Sequence, residues 1–300
     1  MVEPIDRVNP VGSGADAMRP NERHERILQM VSENGRVEVD ALSVELGVSA
    51  MTMRRDLALL EADGALRRVY GGATRISSGS YEPPFAVRAK LQLPAKRQIA
   101  RVVASLIDDG QAVILDAGTT GVAIAEQLSQ RQITVCTPSL RVAAALVSSS
   151  SVRLMVTGGM VRPGEQSLVG PETGRMLEDY HFDLYIMTVS AAHADQGFTE
   201  WHPDDAAVKR TALGASSRCI VACDANKIGR TAFARICALN AADLLVTDSA
   251  ITEEQRSALE AHGLEVRTAG PGDNDGLGAT SHNGSDNARS NHGDWSRDDY

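Results

Sequence analysis

The sequence predicts two folded units of different class, a small α+β unit at 19–76 and a larger α/β unit with a mainly parallel sheet at 95–269. Three observations carry this. The first stretch shows three short helical stripes, then two strand-like pieces around Gly71-Gly72. The second alternates amphipathic helices with short, unbroken apolar runs. Between them, 77–94 (SSGSYEPPFAVRAKLQLP) breaks both patterns with a Ser/Gly start, a Pro-Pro pair and a further proline, and reads as a linker. With 43% hydrophobic residues over 300, the chain can bury a core in each unit. Residues 1–18 mix Pro, Gly and Ser without periodicity, and 270–300 are rich in Gly, Asn, Ser and Asp; both are expected to be disordered tails.

In the small unit, Ile27, Leu28 and Val31 share one helical stripe that Asn34-Gly35 stops. After an extended RVEV, Asp40 is placed to cap a second helix carrying Leu42 and Leu46, and Gly47 supplies the left-handed backbone of a tight turn. Val48 plugs the corner. Ser49 caps a third helix whose Met53, Leu57 and Leu60 face inward, leaving Thr52, Arg54 and Arg55 outward. The following ALRRVYGGATRI reads as a basic two-stranded wing carrying Arg67, Arg68 and Arg75.

A helix, a turn and a second helix with arginines near its start is the geometry that reads a DNA major groove, because arginine forks match guanine or phosphate oxygens bidentately. Taken singly, Arg54 and Arg55 could be a solvated helix face and the double glycine a plain turn; their order in one unit favours DNA. Residues 19–76 hold nine Arg and nine Asp/Glu, so the rest of the chain carries the whole net charge of −9. Attraction to DNA must then come from arginine placement, not from a basic coat.

In the large unit, helices at IARVVASLI, VAIAEQL and RVAAALV alternate with strands at AVILDA, ITVCT and VRLMVTGG, and further strands follow at 183–190, 218–224 and 243–248. Ligands of such sheets gather at the carboxyl ends of strands. The loop Asp116-Ala117-Gly118-Thr119-Thr120-Gly121 combines a glycine and two hydroxyls at a helix start, which suits a phosphate, although threonine-rich helix caps are common and the spacing is not Walker A. Other strand ends contribute Thr137-Pro138-Ser139, Thr157-Gly158-Gly159 and Ser167 to Pro171.

Lysine is rare: 26 arginines accompany four lysines, at 90, 96, 209 and 227. Lys209, and Lys227 close to Asp224, are candidates for a retained compact ammonium, with a surface salt bridge as the alternative. Three His-x-Asp pairs, at 181/183, 193/195 and 202/204, fall in different predicted elements and do not make a metal site; no cofactor is expected. Four cysteines without a Cys-x-x-Cys spacing read as reduced core residues. No apolar run approaches the ~18–20 residues a membrane span needs, and the first twenty residues carry no signal-peptide pattern, so a cytoplasmic protein is expected.

The stretch 23–73 resembles the DeoR-type winged helix-turn-helix through Ser-x-x-Thr-x-Arg-Arg-Asp-Leu at 49–57, Leu-Glu-x-x-Gly at 60–64 and Gly-Gly-Ala at 71–73. The large unit is similar to that family's sensor domain through LDAGTT at 115–120, GG at 158–159, SLVGP at 167–171, VK at 208–209, D-x-x-K-x-G at 224–229 and LLVTD at 244–248. The resemblance implies a regulator, usually a repressor of carbohydrate-use genes, released from operator DNA by a phosphorylated sugar, with a sensor related to ribose-5-phosphate isomerase. It implies that Thr52, Arg54 and Arg55 read the groove beside the cap Ser49, and that Arg67 and Arg68 meet the DNA backbone. Asp116, Gly118, Thr119 and Thr120 would hold the phosphate, with Gly158, Gly159, Lys209, Asp224 and Lys227 completing the effector site. A homo-oligomer, dimer or tetramer, would supply two half-sites. The chain departs from the family at Gly121, commonly a third threonine, at Pro138, commonly asparagine, and around Ala191-Ala192-His193. Glu200-Trp201-His202 reads as a specificity element or as an aromatic packed on its neighbour. An alternative is a phosphosugar isomerase or deaminase carrying a DNA module, with Asp116, Glu165 or Glu200 as base.

Overall fold

Pro20 begins helix α1 (Pro20–Asn34), where its missing N–H costs nothing, and Gly35 ends it at φ 74°. The protein is described from a computed structural model over residues 18–62, 64–76 and 81–270. Apart from Met18 and Gly270, both expected tails lie outside the described residues. After β1 (Arg36–Glu38) comes α2 (Val39–Glu45), whose cap position is Glu38 and not Asp40 as the sequence predicts; Asp40 sits in the first turn, where its charge faces the positive helix end. Gly47, at φ 64°, turns the chain into α3 (Ala50–Ala62), and Ser49 Oγ accepts the Thr52 N–H at 3.1 Å. Strands β2 (Arg67–Val69) and β3 (Gly72–Thr74) complete an antiparallel sheet in the order β1-β3-β2. A Cβ at Gly72 would lie 1.9 Å from the Val37 carbonyl oxygen, so the close strand approach excludes a side chain there.

Ile27, Leu42, Met53, Leu57 and Leu66 fill this unit's core. Beside it, Arg23 Nε donates to Asp56 Oδ2 at 2.7 Å and His24 Nε2 lies 2.9 Å from Oδ1, tying α1 to α3. Burial opposes the Asp56 charge, but Arg23 and His24 outweigh it and hold the carboxyl below its ordinary value. A carboxyl depressed on folding stabilises above the unfolded pKa of about 4, and the contribution disappears as pH falls through the lower folded value. Asp56→Ala is therefore expected to cost about 3 kcal/mol at pH 7, by stranding a buried guanidinium, and to flatten the acid limb of a thermal melt followed below about pH 4.5.

The segment expected to be a linker contains helix α4 (Phe85–Lys90) and the opening residues of α5 (Leu93–Ser105). Pro84 takes the cap position of α4, so the Pro-Pro pair that reads as a break is also a helix start. Val87 enters the core of the first unit. Gln92 carries the left-handed backbone, at φ 54°, that separates the two helices.

The second unit runs β4 (Ala112–Leu115), α6 (Thr119–Leu128), β5 (Thr134–Thr137), α7 (Leu140–Leu146), β6 (Arg153–Val156), a hairpin of β7 (Met160–Val161) and β8 (Leu168–Val169), α8 (Pro171–Glu178) and β9 (Leu184–Thr188). It continues with β10 (Ala191–His193), β11 (Gly197–Glu200), α9 (Pro203–Gly214), β12 (Cys219–Ala222), β13 (Ala234–Cys237), β14 (Leu244–Asp248), α10 (Glu253–Glu260) and β15 (Glu265–Ala269). Seven strands form one parallel sheet in the order β15-β14-β12-β9-β4-β5-β6. Alternate side chains divide between its faces: Val113, Leu115, Ile186 and Val246 pack on α5 and α6, while Ile114, Tyr185, Val221 and Leu245 lie in the opposite cluster with α8 and α9. Each fully buried aliphatic side chain contributes about 1.5–3 kcal/mol. Strands β10, β11 and β13 make a second, antiparallel sheet. The four cysteines are free, and burial pushes the Cys136 and Cys223 thiols up to about 12.

Candidate functional site

Two surfaces bear chemistry. On the first unit, the inward run of Met53, Leu57 and Leu60 leaves Arg54 and Arg55 exposed on α3, and the Thr52 hydroxyl is 3.0 Å from Ser49 Oγ. Arg67 and Arg68 are exposed on the wing, where Glu61 accepts the Arg68 N–H at 2.8 Å. Tyr70, between the wing strands, is 100% exposed, and Met51 at the start of α3 is 73% exposed. No motif in the sequence marks either; an apolar side chain left out of a core on a basic face is the signal for both.

The second surface follows from strand order. From β4 the chain winds outward to β5 and β6, then returns to β9 on the other side of β4, which makes the β4/β9 boundary the topological switch point. Asp116, just beyond β4, crosses that boundary: its Oδ2 accepts the Thr188 N–H at 3.0 Å, and its Oδ1 accepts the Ala117 N–H at 2.8 Å. Gly118, at φ 101°, then starts α6, whose first N–H groups and positive dipole end open on the same crevice. Thr120 Oγ1 is buried there without a hydrogen-bond partner among the described residues. A buried hydroxyl left unpaired costs about 1–3 kcal/mol, which an arriving acceptor would offset. A Cβ at Gly121 would come 2.3 Å from the Asp116 carbonyl oxygen, so this loop is wound too tightly to carry the family's third threonine.

Lys209 reaches the crevice from α9. Its ammonium is buried, contacts Asp116 Oδ2, donates to the Thr188 carbonyl at 2.9 Å and lies 3.3 Å from Glu200 Oε2. Burial opposes its charge, but Asp116 and Glu200 outweigh it and raise the lysine well above its ordinary value. Burial likewise opposes the Glu200 carboxylate, yet Lys209, the Ser190 hydroxyl and the Trp201 N–H hold it below its ordinary value. Lys227 Nζ donates to the Val189 carbonyl at 2.7 Å and faces the same space. All three carboxylates named as possible bases are engaged, Asp116 and Glu200 with Lys209 and Glu165 with Arg88.

The connecting segment closes this crevice. Arg88 of α4 contacts Glu165, donates to Glu82 at 2.9 Å, and sits 5.2 Å over the Trp201 ring. Trp201 therefore packs on a guanidinium from the segment between the units. Arg162 joins Glu82 at 2.6 Å to Asp205 at 2.7 Å. With these groups in place the crevice encloses about 30 Å³, room for a water or two. Nothing local in the sequence singles out Arg88, Glu82 or Arg162, because their roles depend on long-range pairing.

Asp224 and Lys227 line a larger adjoining cavity, while Gly158 and Gly159 are not brought to either space. Gly158 instead accepts the Thr173 hydroxyl at 2.6 Å, and a Cβ at Gly159 would collide with that hydroxyl at 2.2 Å, so this pair serves the packing of α8. The three His-x-Asp pairs are used locally: His181 lies 2.9 Å from Ser217 Oγ, His193 accepts from the Asp195 N–H, and His202 caps α9.

A family model described as the DeoR C terminal sensor domain matches residues 91–249, and one described as the DeoR-like helix-turn-helix domain matches 23–79. The chain is 32% identical over 250 residues to the HTH-type transcriptional regulator GlpR of Haloferax volcanii, covering 83% of this chain and 98% of that one. It is 32% identical over 249 residues to the HTH-type transcriptional repressor GlcR of Bacillus subtilis, covering 83% and 96%. Ribose 5-phosphate isomerase A from Methanocaldococcus jannaschii superposes on 44% of this chain and 52% of its own, at 12% identity and a TM-score of 0.34, too slight a likeness to carry an argument. Among the described residues, no helix is long and apolar enough to cross a membrane.

Proposed function

The chain belongs to the DeoR family of transcriptional regulators, and from that premise we propose that it is a repressor of carbohydrate-metabolism genes, released from its operator by a phosphorylated sugar. One observation carries the effector class: the N-terminal end of α6 meets a buried, unpartnered Thr120 hydroxyl and the Lys227 ammonium, which donates only to a neutral carbonyl, at the switch point of the sheet. Oriented N–H groups, a free donor and fixed positive charge favour a phosphate over a neutral sugar. With Arg88 and Glu82 in place the crevice holds a water or two, so in this reading a phosphate at α6 displaces the connecting segment, and release is linkage: the ligand lowers DNA affinity by the ratio of its affinities for the free and DNA-bound forms.

Thr120→Val tests the site without confounding it. Removing an unsatisfied buried hydroxyl leaves the melting temperature at or above that of the parent, while affinity for phosphorylated sugars, measured by calorimetry, falls about tenfold for the lost charge-assisted bond. A folded variant with undiminished phosphate affinity would move the effector away from α6.

The regulator acts as a homo-oligomer in this reading, since paired half-sites supply affinity that one winged helix lacks. Val147, Met160 and Val161, exposed beside the open edge strand β6, support a self-association surface there. Met160→Asp with Val161→Asp is expected to shift sedimentation toward a single chain; an unaltered boundary would place the contact elsewhere.

A further inference from the structure

Glu82 reaches the crevice from the irregular residues before α4, and it is the carboxylate that the connecting segment brings there; Glu165, Glu200 and Asp205 belong to the sensor. Arg162, just after β7, holds it with both arms of its guanidinium: Nη1 donates to Oε2 at 2.6 Å and Nη2 to Oε1 at 3.3 Å. Arg88 Nη2 adds a bond to Oε1 at 2.9 Å. A carboxylate held by such a fork presents two oxygens as a phosphate group does, the pairing to which a planar guanidinium is suited. Thr120 lies on the same crevice, and the space left there, about 30 Å³, is too small for a phosphate beside Glu82.

Glu82 is also the carboxylate that this crevice loses most easily. Burial pushes the Glu165 carboxyl up; Arg88 opposes this, and Glu82 adds to it, so two carboxylates compete for one guanidinium. Without Glu82, Arg162 still has Asp205 Oδ2 at 2.7 Å and Ser167 Oγ at 3.3 Å, and Arg88 still has Glu165 and the Pro83 carbonyl. The neighbours of Glu82 belong to the other unit. The Tyr81 hydroxyl lies where a Cβ on Gly64, just after α3, would come within 3.2 Å, and Val87 enters the core of the DNA-binding unit. The Glu82–Arg162 pair is thus a clasp between the units.

We propose that Arg162 is an effector-binding residue masked by a tethered competitor: Glu82 occupies the guanidinium fork that the phosphate of an effector seated on α6 takes over, and its exit opens the clasp between the DNA-binding unit and the sensor. This rests on reading the start of α6 as the phosphate site. A phosphate between α6 and Arg162 gains the oriented N–H groups, the Thr120 hydroxyl and the fork together, whereas Glu82 leaves Thr120 unpaired. The incoming charge replaces one of the four carboxylates that line the crevice instead of joining all four. Effector and clasp are then alternatives for one arginine, and the strength of each sets the population of the other.

The full-length protein and Glu82→Gln are titrated calorimetrically with inorganic phosphate and glucose 6-phosphate, at fixed ionic strength, with glucose as the uncharged control. Glutamine keeps the shape and removes the charge, so both anions are expected to bind Glu82→Gln about tenfold more tightly than the parent. A carboxylate with a merely structural role would leave that affinity unchanged or lower it. Adding Arg162→Lys to Glu82→Gln then costs about tenfold, since lysine lacks the fork. Hydrogen exchange on the parent keeps the test independent of how the variants fold: the Val87 and Arg88 N–H groups, which donate to the Pro84 carbonyl at 3.0 Å, are expected to exchange faster with either anion at saturation. An affinity that Glu82→Gln does not raise, or α4 amides equally or better protected with the anion bound, would overturn the competitor; if Thr120→Val still lowers phosphate affinity, the α6 site stands without it. If neither anion binds parent or variant, both readings fall.

Discussion

Arg54→Ala combined with Arg55→Ala is expected to weaken binding to DNA from the protein's own upstream region by about 100-fold or more, while the thermal unfolding of the protein changes little. Each bidentate arginine contact to a base contributes about 1–3 kcal/mol of discrimination. Both side chains are exposed on α3, outside the core of Ile27, Leu42, Met53 and Leu57, so their loss removes contacts to DNA and not to the fold. Arg67→Ala and Arg68→Ala, on the wing, serve as the comparison. Phosphate contacts carry no sequence information, so these changes weaken specific and scrambled DNA alike and lower the salt slope by about one each. Fluorescence anisotropy at several salt concentrations separates the cases. If the α3 double variant keeps its preference for specific DNA, α3 is not the reading helix.

The division of labour in the first unit was legible because it rests on local signals. Ser49 as a cap, Gly35 and Gly47 as stops, and the Met53, Leu57 and Leu60 stripe are decided within a few residues of themselves. Asp40 was misplaced by two residues for a local reason as well: Val39 is buried and already helical, so the helix starts before the favoured cap residue. The alternation of helices and apolar strands likewise gave the parallel sheet, and with it the position of Asp116 and Thr120. What was not legible is set at long range. Arg88 and Glu165 are separated by 77 residues, and Arg162 and Glu82 by 80. The connecting segment reads as a linker because two prolines and a serine-rich start dominate its composition, although its Val87 packs on one unit and its Arg88 on the other. Lysine scarcity pointed to Lys209 and Lys227, and the same signal applied to Lys96 would have marked the cavity between the units.

Lys209→Met carries the largest expected cost to stability. The ammonium is 3% exposed and holds three strand ends together, through Asp116 after β4, the Thr188 carbonyl of β9 and Glu200 of β11. Methionine fills similar volume, so the loss is electrostatic: two buried carboxylates remain without their cation, at a cost of about 3–5 kcal/mol, or roughly 10 °C in melting temperature. The pH dependence separates this from poor packing. In the parent protein Lys209 helps hold Glu200 below its ordinary value, so this group's contribution is present above the unfolded pKa of about 4.3 and is lost as pH falls through the folded value. Without the lysine, the burial that already opposes the Glu200 charge pushes its carboxyl upward, the folded state binds more protons than the unfolded one, and stability rises as pH is lowered from 7 toward about 5. The two proteins are therefore expected to show melting temperatures that converge over that interval. Asp116→Asn and Glu200→Gln, added to Lys209→Met, remove the stranded charges and should recover most of the lost stability at pH 7. A Lys209→Met protein that melts as the parent does, or whose deficit is the same at pH 5 and pH 7, would show that the charge at this crevice does not hold the strand ends together.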